Sequence, residues 1–317
     1  MPYRRSKRKR GARWEYPILR RPSNRRTIHN ALASLVLCGP AIVLYVGFIV
    51  VPAMLGFAYS FTNWTGWTGR PAYVGLANFR ELLSDTRFLD AIRFTLLESA
   101  LIVIFFTFAS MLLAVILDAL RFWKGPIRGL FFYPYILSIL VNALLFQYLA
   151  NYREGAMNTL LRTAGLDSIT QDWMGDPGLV PYFIFALVAW SGLGFFTTLY
   201  LANLQTIPTE LYEAARIDGA GPLSVFRRIQ FPMLLPTLTT TSVLAVITGI
   251  NLFPQIVVTT QGGPGFRTFT IGYYIYHLGV LNNRQGYAAA VSFVTFLALV
   301  IIAGIQVALL RRRQVSL

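Results

Sequence analysis

The feature that most constrains this chain of 317 residues is a set of six long segments almost free of charged side chains. Each segment holds the ~20 apolar residues that a helix needs to cross a bilayer. The composition agrees, since 55% of all residues are hydrophobic, 13% are charged and the mean hydropathy is +0.55. We therefore predict an all-α integral membrane protein. Its spans are expected near residues 33–60, 95–118, 128–150, 179–205, 232–259 and 287–310.

Positive charge is distributed unequally among the segments that join these spans. If the amino terminus is cytoplasmic, residues 1–30, 118–128, 206–230 and 311–317 lie on its side and hold 20 of the 28 lysines and arginines. The remainder of the chain holds the other 8, together with 8 of the 13 acidic residues. Cytoplasmic loops are enriched in Lys and Arg. Both termini and the 206–230 loop are therefore predicted to be cytoplasmic.

The chain begins with a strongly basic tail, residues 1–30, which carries seven Lys and Arg residues in its first 13 positions. A nucleic-acid-binding arm would have such a composition, but no DNA- or RNA-binding module follows it. Attraction to anionic membrane lipid explains the charge better, because a span follows at once. We expect a flexible cytoplasmic tail, and a single transmembrane domain over residues 31–317.

The 206–230 loop is the polar segment with the clearest local structure. Pro208 suits the first position of a helix, where its missing N–H costs nothing. Gly219 offers the left-handed conformation that ends a helix, and Gly221-Pro222 begins another. The loop is therefore predicted to contain two short helices joined by a tight bend, with small side chains that allow a partner to approach closely.

Residues 213–220 of this loop read Glu-Ala-Ala-Arg-Ile-Asp-Gly-Ala. With Pro208 before them and Ile229 and Pro236 behind, they resemble the EAA loop of ABC importer permeases. In that family the loop is a cytoplasmic coupling helix that sits in a cleft of the ATPase subunit. The resemblance implies that the contacts with the ATPase involve Glu213, Ala214, Ala215, Asp218 and Gly219.

The resemblance extends over nearly the whole chain from about residue 35. It implies the six-span fold of type I ABC importers, in the carbohydrate branch that includes glycerol-phosphate and disaccharide systems. The segments that carry it, besides the loop, are residues 60–64, 74–79, 85–88, 204–208, 262–265, 274–276 and 286–288.

The same resemblance implies a set of partners and a location. Such a permease pairs with a second, similar permease, binds two ATPase subunits inside, and receives a carbohydrate from an extracytoplasmic solute-binding protein. It lies in the inner membrane of a bacterial or archaeal cell, crosses it several times and supplies half of the translocation pathway. The implied mechanism is alternating access driven by ATP.

The sequence carries no motif for catalysis or for a cofactor. A P-loop needs Gly-Lys followed by Ser or Thr, and none of Lys7, Lys9 and Lys124 has that context. The two histidines and the single cysteine lie in different segments and form no metal-binding set. We therefore predict a subunit that is not an enzyme and has no metal or cofactor, and we expect ATP hydrolysis from a separate subunit.

Polar side chains inside the spans indicate either a solute pathway or helix packing. Thr248, Asn251 and Gln255 have the spacing of three and four that places them on one face of a continuous fifth span. Asn142 and Gln147 lie in the third span. A neutral hydrogen-bonding stripe suits a hydroxyl-rich solute such as a sugar. Hydrogen bonds between helices use the same residue types, so both interpretations stay open.

Three other classes of protein deserve comparison. An ABC importer permease for a peptide, an amino acid or phosphate would share the loop, but the external segments favour carbohydrate. A self-sufficient secondary transporter or channel would work without an ATPase and gives no reason for the loop. An integral-membrane enzyme is the weakest alternative, since no catalytic constellation is present.

Overall fold

The computed structural model describes residues 36–67, 70–120 and 124–311. Within these ranges the backbone is helical apart from connecting segments, and the pairing of extended residues is limited to one bridge between Thr62 and Tyr73. The predicted basic tail at residues 1–30 lies outside the described residues. The described chain is thus all-α, as predicted.

The chain divides into two compact units, the first ending at Leu55 and the second beginning at Gly56. Residues 36–55 of the first unit belong to α1, and the other helices lie in the second unit. A single turn and a wider π-helical turn, Pro222–Val225 and Phe226–Gln230, lead directly into α9. In chain order the helices are α1 (Val36–Tyr59), α2 (Ala77–Ser84), α3 (Thr86–Ala119), α4 (Lys124–Ile136), α5 (Ile139–Leu149), α6 (Ala156–Thr163), α7 (Val180–Leu204), α8 (Thr209–Ile217), α9 (Phe231–Ile250), α10 (Phe253–Val258), α11 (Ile271–Tyr276) and α12 (Gln285–Arg311).

Among the described residues, five helical segments are long and apolar enough to cross a bilayer. A sixth candidate is the pair α4 and α5, if the two are counted as one bent span. In chain order these six candidates correspond to the six predicted spans. The second one, α3, starts at Thr86 rather than near residue 95. The five single segments are Val36–Tyr59, Thr86–Ala119, Val180–Leu204, Pro222–Val258 and Gln285–Ile305.

The third candidate span is bent by 97° between α4 and α5, whereas we expected one helix over residues 128–150. Pro134 lies inside α4 and has no N–H to give to the helix. Its carbonyl oxygen accepts a hydrogen bond of 2.8 Å from Nδ2 of Asn142, a buried residue of α5. The Asn142 side chain therefore satisfies a backbone group beside the bend, as a buried carbonyl requires.

Two buried clusters join α3, α7 and the segment from α9 to α10. One cluster lies toward the beginnings of α3 and α7 and includes Ile184 and Ile256. The other lies at the opposite ends of these two helices and surrounds Tyr200. The Tyr200 hydroxyl shares a buried hydrogen bond of 2.7 Å with Thr241 of α9. This second cluster also includes Ile207, so it anchors the start of the 206–230 loop to the helices.

Two glycines let α7 lie close to its neighbours. A Cβ atom on Gly192 would come within 2.4 Å of the Phe106 ring of α3. A Cβ atom on Gly194 would come within 2.1 Å of the Phe131 carbonyl oxygen of α4. Both separations are below van der Waals contact, and the Gly194 contact is with backbone that cannot rotate away. Close packing between helices in a membrane depends on such small residues.

We predict that Gly194→Ala destabilises the protein, because the new methyl group would force α4 and α7 apart. Overpacking of this kind costs about 1–3 kcal/mol. The measurement is the midpoint of thermal unfolding of the purified protein in detergent. Gly304→Ala in α12 is the control, since nothing lies within 4 Å of its Cβ position and the change favours a helix. Equal midpoints for the two variants would contradict the close approach.

Asp85 connects three helices at the end of the bundle where α3 begins. Its Oδ1 accepts hydrogen bonds from the backbone N–H groups of Arg87 and Phe88, at 3.0 and 3.2 Å, and so caps α3. Its Oδ2 accepts hydrogen bonds from the hydroxyls of Tyr274 and Tyr287, the latter at 2.6 Å. Burial, the largest single effect, raises the pKa of the Asp85 carboxyl. The four hydrogen bonds together outweigh it and hold the pKa below its ordinary value.

We predict that Asp85→Asn lowers stability by about 1–3 kcal/mol, because an amide nitrogen cannot accept the second tyrosine hydroxyl. The lowered pKa means that Asp85 contributes stability above the pKa of the unfolded chain, about 3.9. That contribution is lost as the pH falls through the folded-state pKa. Thermal unfolding should be measured from about pH 7 down to about pH 3, a range that includes the ordinary carboxyl pKa. Wild type should lose stability as the pH falls, and the variant should lose less. Identical pH profiles would argue against this role.

Candidate functional site

The 206–230 loop forms the predicted pair of short helices. Pro208 is the residue just before α8, with ψ 134°, so it lies one position earlier than the first helical position that we predicted. At the other end, the Ala220 N–H donates to the Ala215 carbonyl at 2.9 Å and the Gly219 N–H donates to the Arg216 carbonyl at 3.1 Å. This pair of bonds is a Schellman motif, and Gly219 has the positive φ, 72°, that the motif requires.

The loop is packed against the transmembrane helices. Ala215 is 9% exposed, and the neighbouring Tyr212 lies on the cluster around Tyr200. The Tyr212 hydroxyl also accepts a hydrogen bond of 3.4 Å from Gln230, at the end of the π-helical turn. Gly221 and Pro222 begin the second short helix, as predicted. A helix of nine residues is marginal alone, so these contacts are what hold α8 in place.

A groove of about 420 Å³ lies between α8 and the segment that follows it. Its lining includes three alanines and a serine, together with Asp218 and Arg228, which carry opposite charges. Three of the five predicted coupling residues line it, namely Ala214, Ala215 and Asp218. Glu213 is exposed but lies outside the lining, and Gly219 serves the bend. The full lining is Leu211, Ala214, Ala215, Asp218, Ala220, Ser224, Val225, Arg228 and Ile229.

Exposed apolar side chains on the loop are a feature that the sequence reasoning missed. Ile217 is 87% exposed and Leu223 is 67% exposed. A signal for Ile217 was available, because a residue two positions from Ala215 points to the opposite side of a helix. If Ala215 faces the bundle, Ile217 faces away from it. A small-residue groove beside exposed apolar side chains and charges of both signs fits a protein partner.

The predicted polar face of the fifth span is wrong in one respect. Thr248, Asn251 and Gln255 do not lie on one continuous helix, because α9 ends at Ile250 and α10 starts at Phe253. Pro254 explains the break, since a proline ring collides with the carbonyl four residues earlier, here that of Ile250.

The structure gives these three side chains different surroundings. Thr248 donates to the Leu244 carbonyl of its own helix at 3.0 Å. Asn251 is exposed in the break, with ψ 47°. Gln255 is 3% exposed, and its Oε1 has no hydrogen-bond partner among the described residues. Asn251 and Gln255 therefore retain unused hydrogen-bonding capacity, whereas the Thr248 hydroxyl is satisfied.

The two candidates in the third span also differ. Asn142 makes the structural hydrogen bond to Pro134 described above, although its Oδ1 has no partner in the described part of the chain. Gln147 is half-buried on α5. No group of three or more His, Cys, Asp or Glu residues that could hold a metal ion occurs among the described residues.

Glu98 is a polar residue of the spans that the sequence reasoning passed over. It lies on the buried face of α3 and is 2% exposed, and its Oε2 has no hydrogen-bond partner within the described ranges. Thr95, one turn earlier, accepts a hydrogen bond of 2.9 Å from the Ile271 N–H. The signal was its position, since residues 95–118 were predicted to span the membrane and Glu98 is the fourth of them. An acidic residue there is rare and costly.

Comparison with known proteins agrees with this architecture. The profile of a family described as "Binding-protein-dependent transport system inner membrane component" matches residues 107–315. The Multiple sugar-binding transport system permease protein MsmF of Streptococcus mutans is 34% identical over 275 residues, which is 86% of this chain and 93% of that protein. The sn-glycerol-3-phosphate transport system permease protein UgpA of Agrobacterium fabrum is 30% identical over 288 residues, covering 90% of this chain and 96% of UgpA.

A solved structure shows the same fold. The match is to a chain from the crystal structure of a bacterial ABC transporter involved in the import of the acidic polysaccharide alginate, with a TM-score of 0.79 and 24% identity. It covers 90% of this chain and 99% of that one. The predicted all-α, six-span permease fold is therefore confirmed. The chain belongs to the family of binding-protein-dependent transport system inner membrane components, the multi-pass membrane permeases of ABC importers.

Proposed function

We propose that this chain is the permease subunit of an ATP-driven sugar importer that forms half of the translocation pathway and couples to an ATPase subunit through the 206–230 loop. The observation that carries the coupling role is the geometry of α8. A short helix, fixed by a Schellman motif and by contacts with the Tyr200 cluster, presents a groove of small residues. The sugar class is supported by similarity to the multiple-sugar permease of Streptococcus mutans.

The sidedness that this function needs is supported by the charge distribution. With both termini inside, 20 of the 28 lysines and arginines face the cytoplasm, and so does α8. Asp85, Tyr274 and the 390 Å³ cavity beside them then lie on the outer face. An extracytoplasmic solute-binding protein would approach from that side, and two ATPase subunits would bind from the other.

The coupling contacts follow from what α8 exposes. Glu213 is exposed and offers a charged contact, while Ile217 and Leu223 offer apolar ones. Ala214 and Ala215 keep the groove open for side chains of the ATPase. The Gly219 bend sets the direction of α8 relative to the next segment. ATP-driven closure of two ATPase subunits would move this helix and reorient the spans, together with those of a second, similar permease.

The direct test is reconstitution of the chain with its ATPase, its second permease and its binding protein in lipid vesicles. We expect uptake of a sugar that depends on ATP and on the binding protein, and co-purification of the ATPase with the permease. Uptake without the ATPase would instead identify a self-sufficient carrier or channel. Glycerol 3-phosphate belongs in the same assay, because the similarity to UgpA favours it as the leading solute that is not a sugar.

We predict that Gly219→Leu leaves membrane insertion intact but uncouples transport. A leucine at positive φ costs roughly 1–2 kcal/mol, which disfavours the observed bend by about 5- to 30-fold. Uptake and substrate-stimulated ATPase activity should both fall by roughly that factor. Gly221→Ser is the matched control, because Gly221 has φ −72° and serine is a good residue before a helix. Normal stimulated ATPase activity in the Gly219 variant would refute the coupling role.

We predict that Asn251→Leu changes uptake kinetics while the complex still assembles. Asn251 is exposed in the break of the fifth span, so its side-chain amide is available to a solute. The measurement is the KM and kcat of uptake by reconstituted complexes. Thr240→Val is the control, since the Thr240 hydroxyl is already bonded to the Pro236 carbonyl of its own helix. Unchanged kinetics for the Asn251 variant would favour a packing role.

A further inference from the structure

Glu98 is the charged residue that lies well inside a predicted span, and the other charges near the start of α3, Arg87, Asp90 and Arg93, lie within its first eight residues. The other charged residues of the six ranges, Asp118 and Arg128, are the last and first residues of theirs. Glu98 lies 12 residues after the start of α3, which is roughly 18 Å along the helix axis. The long helix therefore carries this carboxyl into the bundle rather than to its end.

Glu98 is buried with one carboxyl oxygen unsatisfied in the described part of the chain. The residue is 2% exposed and Oε2 has no hydrogen-bond partner among the described residues. An ionised, unpaired carboxylate in such a place costs several kcal/mol, and acidic residues within spans usually face the bundle or a pathway. A structural role would require a partner such as Thr95 has in Ile271. Glu98 Oε2 has no such partner among the described residues, so this oxygen is available to a ligand.

Glu98 lies at the level of the break in the fifth span. The next residue, Ser99, packs so closely on Gly249 of α9 that a Cβ there would come within 2.5 Å of the Ser99 Cα. Gly249 immediately precedes the last residue of α9, and Asn251 follows in the break. Irregular backbone within a membrane is tolerated where it is buried in protein or lines a water-filled path. Ser99 Oγ and Gln255 Oε1 also lack partners among the described residues.

The electrostatic character of this region is one-sided. On α3 the basic residue nearest in sequence is the exposed Arg93, five residues before Glu98, and residues 94–117, 179–205, 232–259 and 287–310 contain no lysine or arginine. A protonated carboxyl group can donate one hydrogen bond to a solute hydroxyl and can accept others. An ionised carboxylate can accept hydrogen bonds from two solute hydroxyls. In neither form does it provide the positive partner that a phosphate or a carboxylate needs in a medium of low dielectric constant.

We infer that Glu98 contacts the solute in the translocation pathway, beside the break in the fifth span, and that it selects an uncharged, hydroxyl-rich solute over an anionic one. The inference rests on the proposed function and narrows it to neutral carbohydrates. It separates this chain from transporters of anions such as glycerol 3-phosphate. Separation of α3 from α9 during the transport cycle would open Glu98 to the pathway.

The binding protein selects a solute before the permease meets it, so the test uses the complete permease–ATPase complex without binding protein. Saturation-transfer NMR is recorded with maltotriose and with glycerol 3-phosphate as probes. We expect wild type to give a signal with maltotriose and a signal at least roughly tenfold weaker with glycerol 3-phosphate, the scale of a lost charge-assisted hydrogen bond. Glu98→Leu should lose the maltotriose signal. Thr107→Val is the matched control, because this buried residue of α3 also has an unpartnered hydroxyl and should keep the signal.

Glu98→Gln removes the charge of the side chain and keeps its shape. The complex with this variant should assemble even if the complex with the leucine variant does not. The substituted side chain keeps a donor and an acceptor, so maltotriose binding should persist while the signal from glycerol 3-phosphate rises relative to it. Four results would each overturn the inference. Two concern the variants: an unchanged ratio of the two signals in Glu98→Gln, or an intact maltotriose signal in an assembled Glu98→Leu variant. The other two concern wild type: equal binding of both probes, or no maltotriose signal. Failure of the proposed function would show differently, as the absence of ATP-dependent sugar uptake in the reconstituted system.

Discussion

The constraint on which the rest of this structure depends is that backbone N–H and C=O groups have no water to bind inside a bilayer. A helix satisfies these groups within one segment, so the long apolar segments of the described chain are helical. The informative places are the two where the rule is interrupted. One is the bend between α4 and α5, and the other is the break between α9 and α10. The second interruption follows from Pro254, whose ring collides with the Ile250 carbonyl, whereas α4 stays helical for two residues beyond Pro134 before the bend.

The two interruptions differ in how their free polar groups are satisfied. At the first, the side-chain Nδ2 of the buried Asn142 satisfies the Pro134 carbonyl, and Asn142 Oδ1 has no partner among the described residues. At the second, Asn251 is exposed and Gln255 Oε1 has no partner among the described residues. A polar group within a span that is left without a protein partner has water or a solute as its remaining options. This contrast favours the second break over the first as a part of the pathway.

Features with a local cause could be predicted from the sequence. Gly219 predicts the end of α8, because the left-handed conformation is open mainly to glycine. Gly221-Pro222 predicts the start of the short helix that follows. The six candidate spans could be located because each is a long segment almost free of charged side chains. Pro134 and Pro254 could also have been used, since each is readable as a breaker. We instead assumed continuous third and fifth spans, so the common face of Thr248, Asn251 and Gln255 was wrong.

Features with a tertiary cause could not be predicted in this way. The lining of the groove depends on how α8 packs against residues 222–229, which no local spacing specifies. Glu98 was missed because a single charge barely changes the average hydropathy of a window of ~19 residues, although its cost is set by its own burial. The average composition of a segment indicates a membrane span. A functional site within that span is indicated by the burial of a single polar side chain. The carboxyl groups of Asp85 and Glu98 illustrate the difference, because both oxygens of Asp85 accept hydrogen bonds, whereas the buried Oε2 of Glu98 has no partner among the described residues.

Helix α3 is the element that physically connects the proposed sites. Its start is held by Asp85 to α11 and α12, its middle carries Glu98 beside the broken fifth span, and its end packs with Met111 and Leu117 buried near the base of α7. The cluster around Tyr200 joins that end to the 206–230 loop. A closely packed interior transmits displacement instead of absorbing it. If an ATPase subunit moves α8, a continuous packed route to the opposite face therefore runs through the Tyr200 cluster and along α3, past Glu98, whose buried Oε2 has no partner among the described residues.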